Sequence, residues 1–461
     1  MATTIEYALM AGRAYQTTRD LINQFPTLQG WFEIIHVPNN PGFPQFTGVD
    51  GFEAVAFKKG TDIVISYAGT NPSSLLDPDN AANIGLATGF GSAQLLQAAE
   101  YYLQVKAANP NATSITFTGH SLGGGLAALI GVFFGQRAVT FDQAPFANSA
   151  ELSVLHPDVA ANLKADLLAS GHTEDELVGL TNFLQLRATN GNGDIPNSNL
   201  VTGINVQGQL LSNAPYTLFD RIGIQADIPD STNGVSGSDL HSQALLTAFV
   251  QSIQTAAPQH ALNDVTYKLT DLLEMIFSSS LFAHTTATTN TTDENFLEHL
   301  VRHEAGVRDP ITGATTTAAD AMVTRFTDDL WKLAQDGGLT MTDNIPGGIF
   351  SSPPNNVSKA LTAFAMQMYY TDTANATDPN KELFTEVTGG VQFDRADVAA
   401  TLGDAKGYNL YFQNYLDSNA FSNPERQLIQ SLLPTLRDWY VQAGPSGMDA
   451  TDTQNRGAFM L

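Results

Sequence analysis

Apolar and polar positions alternate along the first half of the chain in a way that predicts helices and strands in turn. Helical spacing covers Ile5 to Tyr15 and Ala93 to Ala107. Trp31 to Val37 and Gly51 to Lys58 read as strands, separated by turns built on Asn39, Asn40, Pro41 and Pro44. Thr61 to Tyr67 is a short apolar run of the kind buried in parallel sheets. Ser114 to Thr118 is a β-branched and aromatic strand, and Leu122 to Gly135 is a helix of small and apolar residues. Ala138 to Asp142 is a further buried strand. Ser149 to Leu180 reads as an inserted helical stretch, Phe183 to Thr189 as another strand, and Asn190 to Asn199 as a loop rich in Gly, Asn and Pro. Strands that alternate with helices predict a mainly parallel sheet covered on both faces.

From about residue 245 the pattern changes. Leu262 to Phe282, Glu294 to Val307, Ala318 to Asp336 and Val357 to Tyr370 all have helical spacing. Pro424 opens a further helix that ends before Gly444 and Pro445. Thr285 to Thr292 is a Thr/Asn-rich linker. The expected organisation is an α/β domain over 1–250 and a mainly helical accessory region over 251–461.

Composition narrows the function. Among 461 residues, 46 acidic side chains face 21 basic ones, for a net charge of −25. Nucleic-acid binding rests on Lys and Arg against phosphates and is disfavoured. With no cysteine, thiolate catalysis, thiolate metal sites and disulfides are excluded. No apolar stretch is long enough to span a bilayer, and no signal-peptide pattern opens the chain.

Chemistry concentrates at Gly119-His120-Ser121-Leu122-Gly123, a G-x-S-x-G pattern set between a strand and a helix. The turn is too sharp for side chains two residues before and after the serine, and glycine stands at both places. The helix N-terminus favours the negative charge that develops during acyl transfer. Ser121 is the candidate nucleophile, and the backbone N–H of Leu122 is one expected oxyanion donor. The alternative is a Gly-rich turn carrying an idle serine.

The stretch Thr118 to Ala127, together with Ile65-Ser-Tyr-Ala-Gly-Thr70, resembles the class 3 (fungal-type) lipases of the α/β-hydrolase superfamily. The resemblance covers about residues 1 to 250 and implies an α/β-hydrolase fold. It implies that Thr70 gives a second oxyanion N–H, although Ala68 stands where the family often has Arg. It also implies the order nucleophile, acid, histidine. Of nine histidines, His241 fits that order, with His260 and His284 in reserve. The acid is expected after the second strand beyond the elbow. Counting 183–189 as that strand selects Asp194, with Asp227 as rival and Asp142 set aside as one strand too early. Asn71 to Phe90 occupies the place of the family's lid; a surface loop packed on the core is the other reading.

The expected activity is therefore carboxylic-ester hydrolysis through a Ser121–His241–Asp194 triad and an acyl-enzyme, on lipid-like or short acyl esters, with a lipid–water interface as a possible partner. Phospholipase A by the same mechanism and a non-catalytic binding module are the alternatives. No cofactor and no metal site is expected: Leu300 stands where a zinc protease would carry its Glu between His299 and His303, and Asp77 to Asn80 lacks the glycine and glutamate of a calcium loop. The run Asp438 to Asp449 resembles the stretch preceding calcium-binding repeats in RTX-type bacterial lipases. That implies secretion without an N-terminal signal peptide, with calcium bound only by repeats outside this chain. If the chain is complete, a cytoplasmic location is expected instead.

Overall fold

The computed structural model describes residues 1–15, 25, 28, 30–37, 52–69, 85–89, 91–152, 155, 157–191, 193–228, 237–243, 246, 247, 249 and 250, and then 384–387 and 390–393. The chain divides into two units. The first comprises Met1–Pro229, Ser236–Val250 and Ala305–Thr315, and the second takes the rest.

In the first unit, seven strands lie side by side in sequence order. They are β1 (Phe32–Val37), β2 (Ala54–Lys59), β3 (Asp62–Tyr67), β4 (Ser114–His120), β5 (Ala138–Phe141), β6 (Val201–Val206) and β7 (Ile224–Ile228). The first three pair antiparallel, and β3 through β7 run parallel. With flanking helices, this mainly parallel mixed sheet is an α/β-hydrolase-like fold.

Alternation along β4 assigns the two layers. Thr116 and Thr118 face α1 (Thr4–Arg13): the Tyr7 hydroxyl donates to Thr116 Oγ1 at 3.0 Å, and Thr118 Oγ1 donates to Tyr7 O at 3.3 Å. A capping box starts this helix, with Thr3 and Glu6 each satisfying the other's backbone N–H. Phe117 points to the opposite face. It stacks on Tyr67 at 6.1 Å and takes the edge of Tyr102 at 5.3 Å. Tyr102 belongs to α2 (Ala93–Ala108), and the hydroxyl of the fully buried Tyr67 donates to Ala98 O in the same helix at 2.8 Å. Fully burying a ring such as Phe117 contributes roughly 1.5–3 kcal/mol.

Beside α2 lies α3 (Leu122–Phe134). Every residue in it is buried, which its nearly uniform apolar composition permits. Gly135 ends it with φ 64°, a left-handed cap suited to glycine.

Between β5 and β6 come α4 (Ala147–Ala150), α5 (Val159–Ala169) and α6 (Val178–Asn190). The strand expected over 183–189 is therefore helix. Leu184 and Leu186 mimic a two-residue period, but the buried residues are Leu180, Phe183 and Arg187, which share a helical face. Arg187 donates to Asp158 at 2.5 Å and to Ala150 O at 3.0 Å, which satisfies its charge inside the fold. A short α7 (Gly237–Leu240) precedes His241.

In the second unit, β8 (Phe384–Val387) and β9 (Gly390–Phe393) form an antiparallel ribbon, with Phe384 opposite Phe393. The four helices expected between 262 and 370, and the one after Pro424, lie outside the described residues.

Candidate functional site

The elbow follows from backbone crowding. A Cβ on Gly119 would lie 2.4 Å from the Gly123 backbone, and one on Gly123 would lie 2.1 Å from Tyr67 O. Only glycine lets α3 approach β3 and β4 this closely. Ser121 stands at φ 58° and ψ −125°, outside the regions favoured by L-residues. The surroundings hold it there: its N–H donates to Phe141 O at 3.0 Å, and its carbonyl accepts from Ala144 N–H at 3.0 Å. As first residue of α3, Leu122 has an N–H with no carbonyl one turn earlier in the helix to receive it.

His241 lies directly after α7. Its Nε2 is 2.9 Å from Ser121 Oγ. The carboxylate behind it is Asp142, whose Oδ2 is 3.8 Å from His241 Nδ1. Asp142 directly follows β5 and is fully buried. It adopts φ 40°, and its Oδ1 accepts the Val206 N–H at 2.8 Å. An aspartate tolerates that left-handed backbone better than most residues.

Asp194 is not brought to this place. It lies exposed in the α6–β6 loop and accepts from Asn190 Nδ2 at 2.8 Å. Counting 183–189 as a strand selects Asp194, and that segment lies within helix α6. The next strand after β5 is β6, and no aspartate follows it before Asp220. Asp227, the rival, sits on β7 with an exposed side chain, 3.4 Å from Asn205 Nδ2.

A second histidine joins the cluster. His120 Nε2 is also 3.8 Å from Asp142 Oδ2, and its ring lies 4.7 Å from that of His241. Its Nδ1 is 3.0 Å from the Tyr15 hydroxyl. The sequence reading gives His120 no role. Strand alternation, which puts residue 120 on the face of Thr116 and Thr118, was the available signal. The donor atoms of His120, Asp142 and His241 all lie within 4.8 Å of one another, a grouping able to hold a metal ion.

Burial dominates the electrostatics. It pushes Asp142 up to about 7, while His241, the Val206 N–H and Arg221 pull the other way. It pushes His241 down to about 3, with His120 adding to the effect and Asp142 opposing it. His241 is therefore neutral at ordinary pH, the form able to accept a proton. Beneath Asp142, a polar network fixes the loop. Gln143 Oε1 accepts the Ile222 N–H at 2.8 Å, and Arg221 Nε donates to Gln143 O at 2.7 Å.

Thr70 lies outside the described residues, but its neighbour Gly69 does not. A Cβ on Gly69 would meet the Tyr15 hydroxyl at 2.1 Å and His120 O at 2.7 Å, so Gly69, just beyond β3, lies beside the elbow. Of the expected lid, 85–89 are described. There Leu86 is buried, and Ser149 Oγ donates to its carbonyl at 2.6 Å. Residues 71–84 and the histidines 156, 260, 284, 299 and 303 lie outside the described residues. His172 is a helix-flanking residue 3.7 Å from Glu176.

With this geometry in hand, known proteins offer a comparison. Residues 6–175 match the Tle-like phospholipase domain. That span contains Ser121 and Asp142. A curated relative, the extracellular phospholipase A1 of Serratia liquefaciens, is 38% identical over 94 residues. The match covers 20% of this chain and 28% of the relative's length. Both are similarities to phospholipases over part of this chain, and the narrower class 3 resemblance is carried by the elbow and Gly-Thr motifs alone. Among the described residues, no helix is long and apolar enough to cross a membrane.

Proposed function

We propose that this protein hydrolyses carboxylic esters of lipids as a phospholipase A, through Ser121, His241 and Asp142. One observation carries the reading. A serine held at positive φ on a strand-to-helix elbow has its hydroxyl 2.9 Å from the Nε2 of a part-buried histidine. An idle serine in a Gly-rich turn has no use for that arrangement.

In the proposed reaction, Ser121 Oγ attacks the ester carbonyl carbon while its proton passes to His241 Nε2. The carbonyl oxygen takes the negative charge, with the N–H of Leu122 as one donor and that of Thr70, by the class 3 resemblance, as the second. Losing one such donor typically costs ~2.7–4 kcal/mol of barrier. The imidazolium is then paired with the Asp142 carboxylate, the form that predominates above a pH of about 7. When the C–O bond breaks, the alcohol leaves with the proton from Nε2. Water, deprotonated by His241, then releases the fatty acid and restores the serine.

The phospholipid preference rests on the Tle-like phospholipase match and the phospholipase A1 relative. Acylglycerols and short acyl esters are the second reading, because the same chemistry serves them. The relative's extracellular designation favours secretion. Residues 251–461 are proposed as an accessory region to the hydrolase domain.

The test is hydrolysis of p-nitrophenyl esters from C2 to C18, beside fatty-acid release from phosphatidylcholine vesicles, by wild type and Ser121→Ala. Turnover that vanishes in the variant supports the reading, and the two substrate profiles rank phospholipid against simple ester. Equal turnover in Ser121→Ala, or none by folded wild type, refutes it.

A further inference from the structure

Behind the candidate nucleophile, three potential ligand atoms converge from separate segments. His120 Nε2 comes from the elbow, Asp142 Oδ2 from the end of β5, and His241 Nδ1 from the segment after α7. Asp142 Oδ2 is 3.8 Å from each nitrogen. That is beyond the ~3.2 Å limit of an ordinary N–H···O bond. It is within reach of a shared ion: two ligands at ~2.0–2.2 Å from one metal stand at most about 4.4 Å apart. Asp142 is fully buried, and its Oδ2 and His241 Nδ1 have no hydrogen-bond partner. A buried carboxylate oxygen aimed at a gap between two imidazoles asks for a cation.

The outer support also fits. The Nδ1 of His120 is 3.0 Å from the Tyr15 hydroxyl, which donates its own hydrogen to His120 O at 3.4 Å. In the tautomer protonated on Nδ1, Tyr15 accepts that hydrogen bond and Nε2 is the coordinating nitrogen. A hydrogen bond on the far nitrogen is the usual way a metal-ligating histidine is oriented.

We propose that His120, Asp142 and His241 form an inhibitory site for a divalent transition-metal ion of the zinc type. The consequence follows from proton bookkeeping and rests on the Ser121–His241–Asp142 reading above. As base, neutral His241 carries its proton on Nδ1, toward Asp142, and offers the Nε2 lone pair to Ser121. A metal on Nδ1 displaces that proton. The neutral ring then carries its single N–H on Nε2, pointing at Ser121, where no lone pair remains for the serine proton. The ion therefore stops the reaction without touching the nucleophile. The protein's net charge of −25 also raises the local concentration of cations.

Two measurements test this. The first is calorimetric titration of Zn2+ into Ser121→Ala, which binds zinc whether or not it turns over ester. One tight equivalent is expected, weakened at least tenfold when His120→Gln is added. The second is hydrolysis of p-nitrophenyl butyrate against zinc concentration. Wild type should be inhibited and restored by EDTA, and His120→Gln should need at least tenfold more zinc. His172→Ala, which removes a surface His–Glu pair, should leave the inhibition unchanged. Thermal melts check that each variant is folded, and His120→Asn replaces the Gln variant if that one is not. Absence of tight binding in Ser121→Ala overturns the proposal, as does affinity unchanged by either His120 variant or inhibition lost with His172. If wild type hydrolyses no ester at all, the triad reading fails, while the calorimetry still decides the metal site.

Discussion

Asp142→Asn separates what the buried carboxyl costs the fold from what it gives the reaction. The residue is fully buried, and its carboxyl is pushed from 3.8 to about 7, first of all by burial. A rise of about three pH units corresponds to about 4 kcal/mol at ~1.4 kcal/mol per unit. The sign follows from proton counting. Between the unfolded and folded values, the folded state holds a proton that the unfolded state has lost. Stability is therefore greatest below the unfolded value and declines until pH passes about 7. Asparagine has no such dependence. It can still accept the Val206 N–H through its carbonyl oxygen, so the loop keeps its anchor. The stability of Asp142→Asn relative to wild type should therefore grow by about 4 kcal/mol between pH 4 and pH 8. Urea unfolding at several pH values, followed by circular dichroism, reads this directly. At pH 8, where wild-type Asp142 is ionised, kcat/KM should fall ~10³–10⁴-fold, because the amide cannot pair with the imidazolium. A stability difference that is flat with pH would refute the buried-carboxyl reasoning. Near-normal turnover would refute Asp142 as the partner of His241. Asp194→Asn, at the exposed loop position, should leave turnover unchanged and serves as the control.

His241→Ala should lower kcat by several orders of magnitude with little change in melting temperature, measured on soluble ester. Gly123→Ala places a methyl 2.1 Å from Tyr67 O, so the elbow must shift. A displacement near 1 Å at the serine should cost ~10²-fold in kcat/KM. Arg187→Ala removes a buried cation from Asp158 and Ala150 O. It should destabilise the domain by about 3 kcal/mol in urea titrations, at the lower end of the usual range because Asp158 still reaches solvent.

What the sequence made legible was what local rules determine. Ile63 to Tyr67 and Ser114 to Thr118 are β-branched and aromatic runs with clear ends, and both are strands in the structure. The elbow glycines announce their own backbone geometry. Helix α6 was misread because Leu184 and Leu186 imitate strand alternation, whereas its real inward face is set by contacts with α3 and α5. That reading placed the expected acid at Asp194, whereas the carboxylate beside His241 in the structure is Asp142. Strands β6 and β7 went unnoticed because Gly203, Asn205, Gln225 and Asp227 dilute their apolar pattern. Asn205 and Gln225 are paired with each other across the two strands at 3.0 Å. Nothing local in Gly-His-Ser tells a reader that His120 meets Asp142, since that contact depends on β5 lying beside β4.

The glycines around the elbow carry a consequence for how this catalyst could be altered. Across Gly119 and Gly123, main chain meets main chain, so the position of Ser121 is set by backbone surfaces and not by the shapes of side chains. A library that varies core and pocket residues while holding 119–125 constant should yield variants that differ in stability and substrate range yet share one nucleophile position. The reacting hydroxyl is thus insulated from the variation that would retune what it attacks.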